Sequence, residues 1–150
     1  MSRPRTPAVP RGTSNLSTLL RQTAARLPQE PALIRGAVCW NWAELDGRVD
    51  ALASAFLDGG LGPGDVVMLH APNSRDYLTV LFAAWRIGAT ITPTNCKLTS
   101  DEVVALAGVV RPALLVVGEG AHGHAAALAP VPSWTISDDP APPRHRTSAG

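Results

Sequence analysis

The sequence predicts an α/β fold in which a β-hairpin and helices lead into βαβ units with a mostly parallel sheet. From residue 66 onward, short apolar runs alternate with segments of helical periodicity, the pattern of parallel strands joined by crossover helices. Glycine and proline residues interrupt the chain at the junctions between these segments. Of the 150 residues, 45% are hydrophobic and 17% are charged, a balance typical of one globular domain with its own core.

The first helix is predicted between a cap at Ser14 or Asn15 and a stop at Pro28. Its apolar residues recur at helical spacing, which places the following side chains on one face: Leu16, Leu19, Leu20, Ala24 and Leu27. Residues 32–40 then predict two short strands around a turn at Arg35-Gly36. The chain therefore begins with a helix followed by a hairpin.

The second helix begins with a capping box, in which Asn41 is followed three residues later by Glu44, and it ends at Gly59-Gly60. Its inward face repeats Leu45, Val49, Leu52 and Phe56. Beyond it, strands are predicted at residues 66–69, 89–92, 113–117 and 133–136. The helices between them are predicted from about 74 to 87, from a second capping box at Thr99 and Glu102 to Arg111-Pro112, and from about 121 to 128.

The two ends of the chain are expected to lie outside the domain, which is predicted to cover residues 14–137. Residues 1–13 contain three arginines and three prolines but no apolar core, so they predict a disordered tail rather than a secretory signal. Five prolines fall between residues 130 and 143, and residues 138–150 predict a linker or frayed tail. No apolar run is long enough to cross a bilayer, so no transmembrane segment is expected.

Charge and cysteine content exclude several classes of function. The formal net charge of +1 argues against a broad electrostatic attraction for nucleic acid or for an anionic membrane surface. The two cysteines, Cys39 and Cys96, are far apart and do not make a disulfide framework. A reducing compartment is therefore expected, and the predicted location is cytoplasmic.

Two glycine-rich segments have the composition of phosphate-binding loops. Residues 60–64 (Gly-Leu-Gly-Pro-Gly) lead from a helix into a strand, whereas ligand loops follow the carboxyl ends of strands, so a tight turn is predicted. Gly118, Gly120 and Gly123 form a G-x-G-x-x-G directly after a predicted strand, with Asp138 twenty residues past the first glycine. This order suits a small Rossmann-like dinucleotide-binding module. Because the next helix is short and no second mononucleotide half follows, a surface loop is favoured and the module is the alternative.

The histidines offer the remaining candidates for chemistry. His122 and His124 could begin a metal site, but neither a cysteine nor an acidic pair lies at ligand spacing, so no metal ligand is assigned. His70 stands alone near a strand end and is expected to be structural. The sequence contains no Ser/His/Asp or Cys/His arrangement with a recognisable nucleophile motif. These patterns therefore predict no catalytic residue.

Six short segments occur in a fixed order along residues 15–117. They are Asn15-Leu16-x-x-Leu19-Leu20 with Pro28-x-x-Pro31-Ala32-Leu33, Trp42-Ala43-Glu44-Leu45, Gly60-Leu61-Gly62-Pro63-Gly64-Asp65, Pro72-Asn73-Ser74, Ala84-Trp85-Arg86-Ile87-Gly88-Ala89, and Pro93-x-Asn95 with Leu98-Thr99-x-x-Glu102. Together they resemble the start of the adenylate-forming superfamily, which contains acyl-CoA synthetases, luciferases and peptide-synthetase adenylation domains. Acid–CoA ligases of that superfamily usually have asparagine at the position of Asn95 and peptide synthetases usually have aspartate, so the resemblance favours a CoA ligase.

The resemblance implies an incomplete N-terminal subdomain of the adenylate-forming fold. The complete enzyme would use ATP and Mg²⁺ to activate a carboxylic acid and would transfer the acyl group to CoA. That chemistry requires a Gly/Ser/Thr-rich loop ending in lysine, which in the family follows the segment present here. Lys97, the single lysine, has no glycine beside it. We therefore expect these 150 residues to be inactive alone, and we assign them no catalytic, cofactor-binding or metal-binding residue. An interaction or regulatory domain is a further interpretation.

Overall fold

The computed structural model describes residues 15–137. The predicted tail at 1–13 and the predicted linker at 138–150, which includes Asp138, lie outside the described residues. Within them the chain forms a two-stranded antiparallel hairpin and a four-stranded parallel sheet. The predicted α/β fold, with a hairpin that precedes parallel βαβ units, is confirmed.

The N-terminal part consists of α1 (Leu16–Arg26), β1 (Pro31–Arg35), β2 (Val38–Asn41) and α2 (Trp42–Asp58). The side chain of Asn15 caps α1 by accepting a hydrogen bond from the Ser17 amide at 2.8 Å. β1 and β2 pair across a tight turn whose Gly36 has φ 57°, a conformation that suits glycine. Asn41 and Glu44 form the predicted capping box at the start of α2, each side chain accepting from the other's backbone amide.

The second part alternates strands and helices: β3 (Val66–His70), α3 (Arg75–Arg86), β4 (Thr90–Pro93), α4 (Ser100–Val110), β5 (Leu114–Gly118), α5 (His122–Ala127) and β6 (Ser133–Ile136). The strands lie in the order β4-β3-β5-β6, and each neighbouring pair is parallel. β4 begins one residue later than predicted, and α5 is shorter than the predicted 121–128. The helix α4 ends at Val110. Its C-cap residue Arg111 has a left-handed φ of 51°, and it precedes Pro112, a position that disfavours continuation of the helix.

Apolar side chains cover both faces of the parallel sheet. On one face, α1, α2 and α3 pack against the alternate strand residues Val67, Leu69, Leu114 and Val116. On the other face, α4 and α5 pack against Met68, Leu115 and Val117. Because successive strand residues point to opposite faces, a strand covered on both sides has a continuous apolar sequence, as β3 and β5 have. None of the helices within residues 15–137 is both long and apolar enough to span a bilayer.

The predicted apolar face of α1 is only partly buried. Leu20 and Ala24 are buried in the core, whereas Leu16, Leu19 and Leu27 are 51%, 52% and 44% exposed. The two buried residues are four positions apart and thus lie one above the other on the helix. The contact of α1 with the rest of the described chain is therefore a narrow stripe.

Arg86 at the end of α3 joins the three helices on this face. Its Nη2 lies 2.6 Å from Asp46 Oδ1 and its Nη1 lies 2.8 Å from Asp50 Oδ1, both on α2. Its Nε donates to the Ser17 hydroxyl on α1 at 2.8 Å. The Arg86 side chain is only 9% exposed, whereas the neighbouring Arg21–Asp50 pair is 58% and 53% exposed. The arginine of the 84–89 segment therefore fixes the relative positions of three helices.

Candidate functional site

The carboxyl ends of β3 and β5 are where a sheet of this topology binds ligands. The chain passes from β3 to β4 through α3 on one face, then from β4 to β5 through α4 on the other face. Such a reversal in strand order opens a crevice outside the carboxyl ends of the two neighbouring strands. In this protein the crevice lies between residues 71–74 and residues 118–121.

Two cavities adjoin this crevice. The smaller has a volume of about 160 Å³ and is lined by Arg35, residues 71–74, Gly118, Glu119, Ile136 and Ser137. The larger has a volume of about 340 Å³ and is lined by residues 33–35, residues 73–75, Tyr77 and Leu78. Arg35, Asn73 and Ser74 line both cavities. The larger cavity lies at the lower end of the roughly 300–1,000 Å³ range of small-molecule sites.

The polar side chains around the smaller cavity can hydrogen-bond a small ligand. They include an amide, two hydroxyls, a carboxylate and a guanidinium, from Asn73, Ser74, Ser137, Glu119 and Arg35. The Ser74 hydroxyl already accepts the Tyr77 amide at 3.0 Å and thereby caps α3. In the described part of the chain, no group of three or more His, Cys, Asp and Glu side chains could hold a metal ion. The crevice is therefore a candidate binding site for a small polar ligand.

Gly118 determines how closely the loops after β3 and β5 approach each other. A Cβ at this position would lie 2.8 Å from Pro72 Cδ and 3.2 Å from Ala71 Cβ. The first distance is shorter than real Cβ contacts and the second is tight, so a side chain at this position requires the Pro72 ring or the loop to shift. The first glycine of the G-x-G-x-x-G thus packs against the chain itself.

The described glycines that follow Gly118 in the dinucleotide candidate have open space around them. Gly120 has φ 85° and forms a turn, and a Cβ at Gly120 or Gly123 would meet nothing within 4 Å. The helix α5 has six residues, and its N-cap Ala121 makes no side-chain hydrogen bond. Asp138, the predicted ribose ligand, is outside the described residues. Because Asp138 is not described, the complete dinucleotide-binding site cannot be assembled from these residues, and this alternative stays a prediction.

Residues 60–64 form the predicted tight turn. Gly60 and Gly64 have φ values of 85° and 88°, and the Asp65 carboxylate accepts the Gly62 amide at 2.8 Å. The turn enters β3 at its amino end, opposite the ligand edge.

Lys97 is exposed in the β4–α4 loop, and its amide donates to Asn95 Oδ1 at 3.0 Å. The Asn95 side chain therefore stabilises the shape of this loop.

Two histidines treated separately in the sequence lie together in the structure. His70, at the carboxyl end of β3, is 1% exposed, and its ring packs edge-on against that of His124 on α5 with centroids 4.5 Å apart. His70 Nδ1 lies 2.8 Å from Thr94 Oγ1, and His124 Nδ1 lies 3.1 Å from Ser100 Oγ. The burial of His70 is consistent with the structural role predicted for it, but its contact with His124 was not predicted. Periodicity does not give strand order, and only that order places the end of β3 beside the loop after β5.

Three groups near the carboxyl edge have shifted pKa values. Burial lowers the pKa of His70, and the positive charge that His124 can carry lowers it further. Burial raises the pKa of Tyr77, with a smaller contribution from Cys96. Hydrogen bonds from the Thr99 backbone and hydroxyl lower the pKa of Glu102 in its capping box.

Comparison with known proteins gives consistent matches. Residues 20–149 match the family described as AMP-binding enzyme. The chain is 41% identical over 86 residues to Protein Y of Streptomyces griseus, covering 57% of this chain and 28% of that protein. It is 38% identical over 71 residues to the 2,3-dihydroxybenzoate-AMP ligase of Bacillus subtilis strain 168, covering 47% of this chain and 13% of the ligase.

A solved structure extends the similarity to the fold. A Rhodopseudomonas palustris protein assigned as a long-chain-fatty-acid CoA ligase superposes with a TM-score of 0.75 and 27% sequence identity. The superposition covers 86% of this chain and 34% of that protein. The chain thus spans about a third or less of each of these three proteins.

Proposed function

This chain belongs to the family of AMP-binding enzymes, and from that premise we propose that it forms the N-terminal scaffold of an acid–CoA ligase. The complete enzyme would consume ATP, form an acyl-adenylate and transfer the acyl group to CoA. The observation that carries the proposal is the family match over residues 20–149, together with the fold shared with a CoA-ligase-like structure. Residues 14–137 would be the subdomain itself.

Three of the motif segments have packing roles. Arg86 ties α1 and α2 to α3, residues 60–64 turn the chain into β3, and Thr99 with Glu102 caps α4. A fourth segment, Pro72-Asn73-Ser74, lines the crevice at the carboxyl ends of the strands. Their positions support a scaffold and leave the chemistry to other residues of the enzyme.

The described residues lack the phosphate loop that adenylate formation requires. Such a loop needs glycine-rich backbone and a lysine, but Lys97, the single lysine, lies in a loop shaped by the Asn95 side chain. Among residues 15–137 no group of three or more His, Cys, Asp and Glu side chains could hold a metal ion. We therefore propose that these 150 residues alone are inactive and that the phosphates and Mg²⁺ bind mainly to other residues of the enzyme.

The choice of CoA as acceptor rests on a finer observation. Asn95 matches the residue that acid–CoA ligases usually have, and the superposed R. palustris protein is assigned as such a ligase.

Cys39 and Cys96 are both free and exposed, which suits a reducing cytoplasm. The acid substrate would be selected by residues outside this scaffold.

The scaffold role is tested by a graft. Residues 15–137 would replace the matching segment of the B. subtilis 2,3-dihydroxybenzoate-AMP ligase, and acid-dependent exchange of pyrophosphate into ATP would be measured. We expect a folded chimera that keeps the exchange activity and the acid preference of the parent. A chimera that unfolds cooperatively but shows no exchange would contradict a purely supporting role.

The inactivity of the chain alone is tested separately. The 150-residue chain would be mixed with ATP, Mg²⁺, CoA and a panel of carboxylic acids, and pyrophosphate release would be followed. We expect release at the level of the protein-free control. Sustained, acid-dependent turnover would show that these residues contain catalytic groups of their own.

A further inference from the structure

Four side chains from four elements meet at the carboxyl edge of the sheet. They are His70 at the end of β3, Thr94 after β4, Ser100 at the start of α4 and His124 on α5. The contacts run in sequence: Thr94 binds His70, the two histidine rings touch, and His124 binds Ser100. This chain of contacts ties α4, α5 and the β4–α4 loop to the central strand.

Burial favours one tautomer of the neutral His70 ring. Nε2 is buried without a hydrogen-bond partner, so a hydrogen on it would be an unsatisfied donor. Nδ1 lies 2.8 Å from the Thr94 hydroxyl oxygen, which can accept from it and can donate its own hydrogen to the Leu69 carbonyl at 3.2 Å. We therefore assign the proton of the neutral ring to Nδ1 and leave Nε2 unprotonated.

A second proton on His70 is incompatible with this arrangement. Nε2–H would be a buried donor without an acceptor, and the ring would carry a buried positive charge against a second imidazole. The following described residues on neighbouring elements are charged or titratable: Cys96, Lys97, Asp101, Glu102, Glu119 and His124. Only His124 affects the pKa of His70, and it opposes protonation.

We propose that His70, Thr94, Ser100 and His124 form an acid-sensitive latch, which opens when His70 takes up a proton from solvent at Nε2. The charged ring moves out to water, and its contacts with Thr94 and His124 break. The β4–α4 loop and α5 then lose their shared attachment to β3. This proposal concerns the stability of the sheet edge and does not depend on the ligase function.

The sign of the effect follows from proton linkage. The pKa of His70 in the folded chain lies below its ordinary value of 6.5, so the unfolded or opened state binds the proton more tightly. Stability is complete above about pH 6.5 and is lost as the pH falls from there through the lowered pKa. Across that interval the unfolding equilibrium constant rises by up to about tenfold per pH unit for this one proton.

The experiment compares the wild-type 150-residue chain with His70→Asn. The asparagine amide can still donate to Thr94 but does not titrate. Urea unfolding should show that the wild type loses stability below about pH 6.5 with a slope of up to one proton, and that this part of the slope is missing in the variant. In the wild type, hydrogen exchange of α5 and of residues 94–100 should accelerate at pH 5.5 relative to pH 7.5, beyond the intrinsic pH effect.

Two further variants and one direct titration decide the outcome. His124→Asn should reduce the slope only in part, because burial is the larger cause of the lowered pKa, and His122→Asn should leave it unchanged. If the slope disappears with His122 instead of His70, or is the same in His70→Asn, the latch does not exist. Should His70→Asn fail to fold, NMR titration of the wild-type ring decides, and a His70 pKa at or above 6.5 overturns the proposal.

Discussion

Replacement of Arg86 by methionine should destabilise the chain more than any change on its exposed surface. The substitution keeps much of the aliphatic stem but removes the guanidinium from Asp46 and from the Ser17 hydroxyl. Asp46 is 19% exposed and Ser17 only 3%, so neither group recovers full hydration. Breaking a buried charge pair costs about 3–5 kcal/mol and a hydrogen bond to a charged group about 1.5–3 kcal/mol. Because Asp46 is partly hydrated, we expect a loss of about 2–4 kcal/mol.

Urea unfolding followed by tryptophan fluorescence measures this loss. The matched control is Arg21→Met, since Arg21 pairs with the same α2 through Asp50 but is more than half exposed. An exposed pair contributes about 0–1 kcal/mol, so the control should lose little. The pair Arg86→Met and Asp46→Asn completes a double-mutant cycle, in which a coupling free energy above about 1 kcal/mol is expected. If Arg86→Met loses no more free energy of unfolding than Arg21→Met, Arg86 does not join the three helices.

Three further substitutions test local features of the fold. Gly118→Ala should cost about 1–3 kcal/mol, because its Cβ meets the loop after β3, whereas the control Gly123→Ala meets open space and should be neutral or stabilising by thermal unfolding. Asn95→Asp should keep stability within about 0.5 kcal/mol, since a carboxylate oxygen can accept the same loop amide, while Asn95→Ala should cost about 1 kcal/mol in urea unfolding. Thr99→Ala should cost about 1 kcal/mol at pH 7. The pKa of Glu102 is lowered in the folded chain. Its contribution to the stability of the cap is therefore present above about pH 4.5 and is lost as the pH falls through the lowered pKa. Glu102→Gln should weaken this pH dependence of stability, as measured by acid unfolding curves.

Features set by a few neighbouring residues were predicted correctly from the sequence. Asn41 with Glu44, and Thr99 with Glu102, form both expected capping boxes, because the interacting groups are three residues apart. The turn at residues 60–64 and the end of α4 before Pro112 follow in the same way from glycine and proline chemistry.

Features that depend on distant parts of the chain could not be predicted. Helical periodicity placed Leu16, Leu19 and Leu27 on the apolar face of α1, but periodicity does not say how wide the opposing surface is. The contact of His70 with His124 depends on β5 lying beside β3, and the crevice at the carboxyl edge depends on the same strand order. The close approach of Gly118 to Pro72 is likewise invisible until the two loops are neighbours.

Arg86 also determines when, during synthesis of the chain, α1 and α2 can reach their final positions relative to each other. A growing chain leaves the ribosome from its N-terminus, so α1, the hairpin and α2 emerge before the arginine that links them. Ser17 precedes Arg86 by 69 residues and Asp46 precedes it by 40. Until α3 has emerged, Asp46 and Asp50 of α2 lack their ion pairs with Arg86. The narrow apolar stripe of α1 then has only part of its final contact surface. Completion of α3 is therefore the step at which residues 16–58 can acquire their final helix arrangement.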